Sequence, residues 1–204
     1  TVLSLIVWVH HMFYSGTPQW MRNLFMVTTM LIAVPTGIKV FAWIATLWVG
    51  RPLYHVPMLW LVGFLVIFVC GGLTGVMLAL VPFDWQVHDT YFIVAHLHYV
   101  LIGGMVFPLF AAFYYWIPMV SRRALSEPLA KWIFGLMFSG MNIAFLPMHL
   151  AGLQGMPRRV ADYAEQWADW NLVISLASFA LGLSTGPCER HNGAVLIFKE
   201  RGRF

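Results

Sequence analysis

Residues 57–81 read Pro57-Met-Leu-Trp-Leu-Val-Gly-Phe-Leu-Val-Ile-Phe-Val-Cys-Gly-Gly-Leu-Thr-Gly-Val-Met-Leu-Ala-Leu-Val81, 25 positions without a charged side chain. An α-helix rises about 1.5 Å per residue, and about 20 apolar residues cross the hydrocarbon core of a bilayer. The stretch reads as a membrane span. Outward from it the pattern repeats. Segments 22–48, 91–120 and 131–152 have similar length and character, 170–183 reads as a partial helix, and 1–14 as the end of another. Turn and helix-stop residues separate them, at Gly16-Thr-Pro18, Gly50-Arg-Pro52, Pro82-Phe-Asp84 and from Arg122 to Pro128.

Composition excludes the other classes. Of 204 residues, 60% are hydrophobic and 10% charged, whereas a soluble domain carries about 25% charged residues. A disordered chain would be poor in apolar residues. Cys70 and Cys188 are too few and too far apart for a disulfide framework or a Cys-based zinc site. The net charge of +4 comes without the basic stripe that a phosphate backbone requires. Segment 1–14 lacks the basic start and small-residue cleavage site of a signal peptide. The expected fold is therefore an all-α, multi-pass transmembrane helix bundle over 1–183, followed by an atypical polar tail at 184–204.

Alternating spans sort the loops into two sets. One side holds Arg22, Arg158 and Arg159 among Asp84, Asp89, Asp162, Glu165 and Asp169. The other holds Arg51, Arg122, Arg123, Lys131 and the basic tail, and by the positive-inside rule it faces the cytoplasm or matrix. Six of the eight histidines, His10, His11, His88, His96, His98 and His149, fall near the first side. Each imidazole in so apolar a chain must be hydrogen-bonded or bound.

Spacing divides their roles. Successive helical residues turn about 100°, so His96 and His98 face opposite sides of one helix and cannot easily share a metal. As ligands they would serve two groups flanking that helix, and a haem on each side fits the reach. The adjacent pair His10-His11, at a helix end, can turn toward one copper or zinc ion. The plainer reading of all these histidines is hydrogen bonding to backbone carbonyls. His88 and Asp89 could hold Mg²⁺ with waters completing the shell; alternatively Asp89 caps the helix that starts at Tyr91. Arg158-Arg159 could pair with the carboxylates of a cofactor. Lys39 lies deep within segment 22–48, where a charge is costly. Pro35-Thr-Gly37 loosens the helix before it, and together these suggest a proton path from the cytoplasmic side.

Six strings, in this order, resemble subunit I of the haem-copper oxidases, in its cytochrome c oxidase branch. They are Trp8-Val-His-His-Met-Phe13, Pro35-Thr-Gly-Ile-Lys-Val-Phe41, Gly71-Gly-Leu-Thr-Gly75, His88-Asp-Thr-Tyr-Phe92, Ala95-His-Leu-His-Tyr-Val100 and Gly155-Met-Pro-Arg-Arg159. The resemblance implies a proton-pumping terminal oxidase that reduces O₂ to water with electrons from cytochrome c. It implies that His10 and His11 are copper ligands, His96 the axial ligand of a high-spin haem and His98 that of a low-spin haem, both haems of type a. His88 and Asp89 would be a magnesium site, Asp84, Arg158 and Arg159 the haem-propionate region, and Thr36 and Lys39 a proton pathway. Implied partners are O₂, cytochrome c by way of subunit II, subunits II and III, and membrane lipid. The implied location is a bacterial plasma membrane or the mitochondrial inner membrane.

Asp89 and Tyr99 favour the cytochrome c branch, since quinol oxidases of the family tend to have asparagine at both positions; Leu97 is a mild departure from the usual aromatic. The alternatives are a ubiquinol oxidase of the same family or an inactive fragment. By this resemblance the chain is part of the twelve-helix subunit I fold, truncated at both ends. Its other metal ligands would precede Thr1, and a frameshift near Ser184 would explain the tail. An ion or solute transporter would suit a buried lysine and broken helices, but gives no reason for six histidines gathered at one face.

Overall fold

The computed structural model describes residues 4–5, 7–121, 124–189 and 198–199. After a 3₁₀ turn at Trp8–Met12 the chain forms α1 (Gln19–Val49), α2 (Val56–Ala79) and the short α3 (Val81–Val87). It continues through α4 (Tyr91–His98), a π-helical stretch at Tyr99–Val106 and α5 (Phe107–Ser121), which together make one rod. Then come α6 (Glu127–Leu153), a 3₁₀ turn at Glu165–Trp167 and α7 (Ala168–Glu189). The only sheet among the described residues is a two-residue antiparallel pairing of Ala124–Leu125 with Phe198–Lys199.

Four helices are long and apolar enough to cross a membrane: Gln19–Val49, Val56–Ala79, Tyr91–Ser121 and Glu127–Leu153. The chain is an integral, multi-pass membrane protein with its large apolar side chains turned outward, among them Phe41, Trp48, Leu73, Trp132 and Phe179. Inside, Trp60 and Ile67 of α2 meet Ala95, Tyr99 and Phe107 of the α4–α5 rod and Met137, Met141 and Phe145 of α6. By contrast α1 buries no residue.

Helix bounds differ from the sequence expectations where proline sits in a first turn. Proline has no N–H to lose there, so it starts a helix as readily as it ends one. Pro128 thus lies inside the start of α6, which begins at Glu127 rather than Lys131, and Glu127 Oε1 meets Lys131 Nζ at 3.1 Å. Pro82 likewise opens α3, so Asp84 stands on a helix instead of in a loop. The last helix covers 22 residues, beyond the expected 170–183, and runs to Glu189. Arg122 and Arg123, used for sidedness, and the tail at 190–197 and 200–204 lie outside the described residues.

Close approach between the rods depends on missing side chains. A Cβ on Gly103 would come within 2.5 Å of Ile67 Cγ2, and one on Gly152 within 2.0 Å of the Phe92 nitrogen. These contacts hold α2 and α6 against the two sides of the histidine-bearing rod.

Candidate functional site

A cavity of about 400 Å³ opens between α1, α2 and α4 and is lined by His10, His11, Asp84, His88, His96 and Arg158, with Thr29 and Thr36 on the α1 wall. Residues from six separated stretches of sequence meet there. His98 is not part of the lining; it stacks on Phe145 of α6, with ring centroids 4.2 Å apart and planes at 16°.

The imidazoles have defined tautomers because carbonyl oxygens only accept hydrogen bonds. His96 Nδ1 donates to Gly71 O at 3.1 Å, beside Thr74 Oγ1 at 3.0 Å. His98 Nδ1 donates to Val94 O at 2.7 Å. In both rings Nε2 therefore keeps its lone pair, the state in which a histidine binds iron. Gly75 leaves the space for the His96 ring, since a Cβ there would meet His96 Cε1 at 2.9 Å. The donor set thus fits two haem irons on opposite faces of α4. His10 and His11 have ring centroids 4.3 Å apart, and His10 Nδ1 lies 3.2 Å from Thr29 Oγ1, leaving Nε2 available for a metal. This pair fits copper.

The acidic side chains behave differently from one another. Asp84, buried on α3, has its carboxyl pushed above the usual range by desolvation, which the neighbouring His88 partly offsets. Its Oδ2 lies 3.3 Å from His88 Nδ1, within ion-pair range but off the hydrogen-bonding direction. The His88 ring stacks on Tyr14 at 5.0 Å. Asp89 is exposed, and the hydrogen bond from Arg158 holds its carboxyl below the usual range. The helix cap expected of Asp89 belongs instead to Thr90, whose Oγ1 accepts from Phe92 N at 3.2 Å. Asp89 has φ +58°, a left-handed conformation that turns its side chain out of the capping position and toward Arg158.

The remaining expected residues are spread out. His88 Nε2 and Asp89 Oδ2 are 3.9 Å apart, and no cluster of three or more potential ligands occurs among the described residues. Arg158 is bonded to Asp89, and Arg159 is exposed with φ +60°. On α1, Thr36 faces the cavity and donates to Ile32 O at 3.0 Å, while Lys39 is exposed.

Three residues that spacing did not single out also belong to this region. Thr74 lies in the Gly71–Gly75 string, whose residues carry no ligand spacing of their own. Thr29 carries no signal in the sequence. His149 is one of the six histidines near one face and has no neighbour at ligand spacing; it is buried between Phe92 and Tyr99.

These features define a multi-pass membrane protein whose helices gather imidazoles around one cavity. Residues 1–180 match the family model described as Cytochrome C and Quinol oxidase polypeptide I, and the chain belongs to that family. It is 54% identical over 185 residues to a cytochrome c oxidase subunit 1 of Synechocystis, covering 91% of this chain and 34% of that protein. It is 49% identical over 178 residues to the Cereibacter sphaeroides cytochrome c oxidase subunit 1, covering 87% of this chain and 31% of that one. With the quinol oxidase subunit 1 of Bacillus subtilis the identity is 44% over 185 residues, covering 90% and 28%. The chain thus spans about a third of the length of these curated relatives. The cryo-EM structure of a heme-copper terminal oxidase dimer shares the fold, with a TM-score of 0.77 at 20% identity, over 90% of this chain and 38% of that one.

Proposed function

We propose that this chain is part of the catalytic subunit of a proton-pumping terminal oxidase that reduces O₂ to water with electrons from cytochrome c. The observation that carries the reading is the meeting of His10, His11 and His96 at one cavity while His98 faces the other side of the same helix. His10 and His11 would hold copper, His96 a high-spin haem and His98 a low-spin haem, both of type a. When bound, such groups supply the one-electron and O₂ chemistry that side chains lack.

The chain's own residues orient and insulate. Gly71 O and Thr74 hold the His96 ring in place, and Thr29 steadies His10. Ile32, Val76 and Ile93 give the cavity apolar walls, and exclusion of water there would strengthen every electrostatic contact inside it. Asp84, Arg158 and Arg159 would make up the haem-propionate region, the arginines pairing with the propionate carboxylates. Thr36 and Lys39 would pass protons along α1. A magnesium ion at His88 and Asp89 would have waters completing its shell. The partners would be O₂, cytochrome c docked on subunit II, subunits II and III, and lipid.

The 44% identity to a quinol oxidase subunit supports a second reading, a quinol such as ubiquinol as donor. The full-length gene product containing this stretch, purified in detergent, separates the two. We expect pyridine extraction to release haem a and O₂ uptake to follow reduced cytochrome c. O₂ uptake with ubiquinol alone would favour the second reading, and a product without haem would overturn both.

A further inference from the structure

Gly71, Thr74 and Gly75 of α2 stand at i, i+3 and i+4 and so share one face of that helix. That face meets the His96 ring. Gly71 lets α2 close on the histidine rod, since a Cβ there would lie 3.1 Å from the Tyr99 carbonyl carbon and from the Val100 nitrogen. Gly75 leaves its space to the ring itself, where an added Cβ would meet His96 Cε1 at 2.9 Å. Thr74 brings the side-chain contact: its Oγ1 lies 3.0 Å from His96 Nδ1, and Gly71 O lies 3.1 Å from the same nitrogen.

The direction of each bond follows from what each group can give. A carbonyl only accepts, so the Nδ1–H of His96 points into the α2 face. The Thr74 hydroxyl gives its own proton to α2, 2.9 Å from Gly71 O and 3.3 Å from Cys70 O, and is left to accept from the imidazole. A threonine within a helix ordinarily bonds back to the carbonyl four residues earlier. Thr28 does so, at 2.9 Å to Leu24 O against 3.3 Å to Phe25 O. Thr74 reverses the order and leans to the carbonyl three residues earlier, the one that His96 shares. His98 is held differently, with Nδ1 donating to Val94 O of its own helix at 2.7 Å. An acceptor at the far nitrogen raises the basicity of a metal-bound imidazole. We infer that Thr74 is a positioning residue for His96: as a second acceptor beside Gly71 O, it strengthens the electron donation of His96 through Nε2 to the iron of the high-spin haem.

The inference rests on the proposed role of His96 as a haem ligand, and the two fail separately. The test uses the full-length oxidase with haem content measured by pyridine extraction. In the reduced protein, the iron–imidazole stretching frequency of the high-spin haem, read by resonance Raman scattering, reports how strongly the axial ring donates. Thr74→Val keeps the branched shape and loses the acceptor, so it should load haem, move that frequency down and leave the low-spin haem bands alone. Thr74→Ser returns the hydroxyl and should bring the frequency back toward that of the wild type. Should Thr74→Val lose the high-spin haem, Thr74→Ser should keep it at the wild-type frequency, which would assign the effect to the hydroxyl. A frequency unchanged or raised in Thr74→Val would overturn the inference. So would a Ser variant shifted as far as the Val variant, or loss of the haem in both. Wild-type protein without haem would overturn the proposed function, and this inference with it.

Discussion

Arg158 closes on Asp89 across 69 residues, its Nε 2.7 Å from Oδ1 and a second hydrogen bond from Nη2 to the same oxygen, while its backbone N–H donates to Asp89 O at 2.8 Å. The loop after α6 is thereby tied to the turn that begins the histidine helix. An antiparallel bridge between Thr90 and Pro157 and the Tyr91 N–H to Met156 O bond at 3.0 Å complete the join.

The backbone part of that join survives loss of the guanidinium. Arg158→Gln should therefore lower stability by no more than about 1 kcal/mol, the usual value of an exposed ion pair after screening by water and salt. Asp89, with its carboxyl held below the usual range, stabilises the fold above the ordinary carboxylate pKa and loses that contribution as pH falls through its depressed value. Thermal unfolding of the detergent-purified protein should become less sensitive to acid in Arg158→Gln. A variant with the wild-type acid limb would show that the ion pair contributes nothing.

Asp84 carries the opposite sign. Burial raises its carboxyl above the ordinary value, so the folded state binds the proton more tightly than the unfolded chain. That contribution is complete below the ordinary carboxylate pKa and is lost as pH rises through the raised folded value. Asp84→Asn keeps the shape and removes the titration. We expect a flatter dependence of Tm on pH above the ordinary carboxylate range, and equal or higher stability at neutral pH. An unchanged slope would mean that another group controls that range.

The spans were legible because they depend on local composition, and the opposite facing of His96 and His98 because it depends only on helical pitch. What escaped the sequence was set by contacts far along the chain. Asp89 satisfies the residue preferences of a helix cap, and only its meeting with Arg158 hands that place to Thr90. Pro82 and Pro128 read as stops although each opens a helix, because proline in a first turn and proline after a last turn look alike in one dimension. Thr29 reaches His10 across 19 residues and two elements, a pairing no spacing rule encodes. The π-helical turn at Tyr99–Val106 likewise had no periodic signature.

Gly152 offers a sharp packing test. A Cβ there would lie 2.0 Å from Phe92 N and 2.7 Å from its Cα, and backbone cannot rotate aside as a side-chain tip can. Overpacking of this kind costs about 1–3 kcal/mol, occasionally more, so Gly152→Ala should sharply reduce the yield of folded protein. Gly135, on the same helix, has nothing within 4 Å of the added atom. Gly135→Ala should then be neutral or stabilising by up to about 1 kcal/mol from helix propensity. Equal behaviour of the two variants would contradict the close α4–α6 contact.

Lys39 stands three residues beyond Thr36 on α1, and residues at this separation neighbour one another on a helix surface. Pro35 lies within the same helix without ending it and has no N–H to give the carbonyl four residues earlier. Thr36 lines the cavity, and Lys39 is exposed three residues further along the same helix. Lys39→Met in the full-length oxidase should slow turnover, on the order of 10²-fold if a positioned proton carrier is lost. The haem bands should stay as they are, because the rings of His96 and His98 are held by carbonyls of α2 and α4 and not by α1. Thr36→Val should slow turnover less, since water can replace a hydroxyl more easily than an amine. Undiminished turnover in Lys39→Met, or bleaching of the haem bands, would remove Lys39 from the proton path.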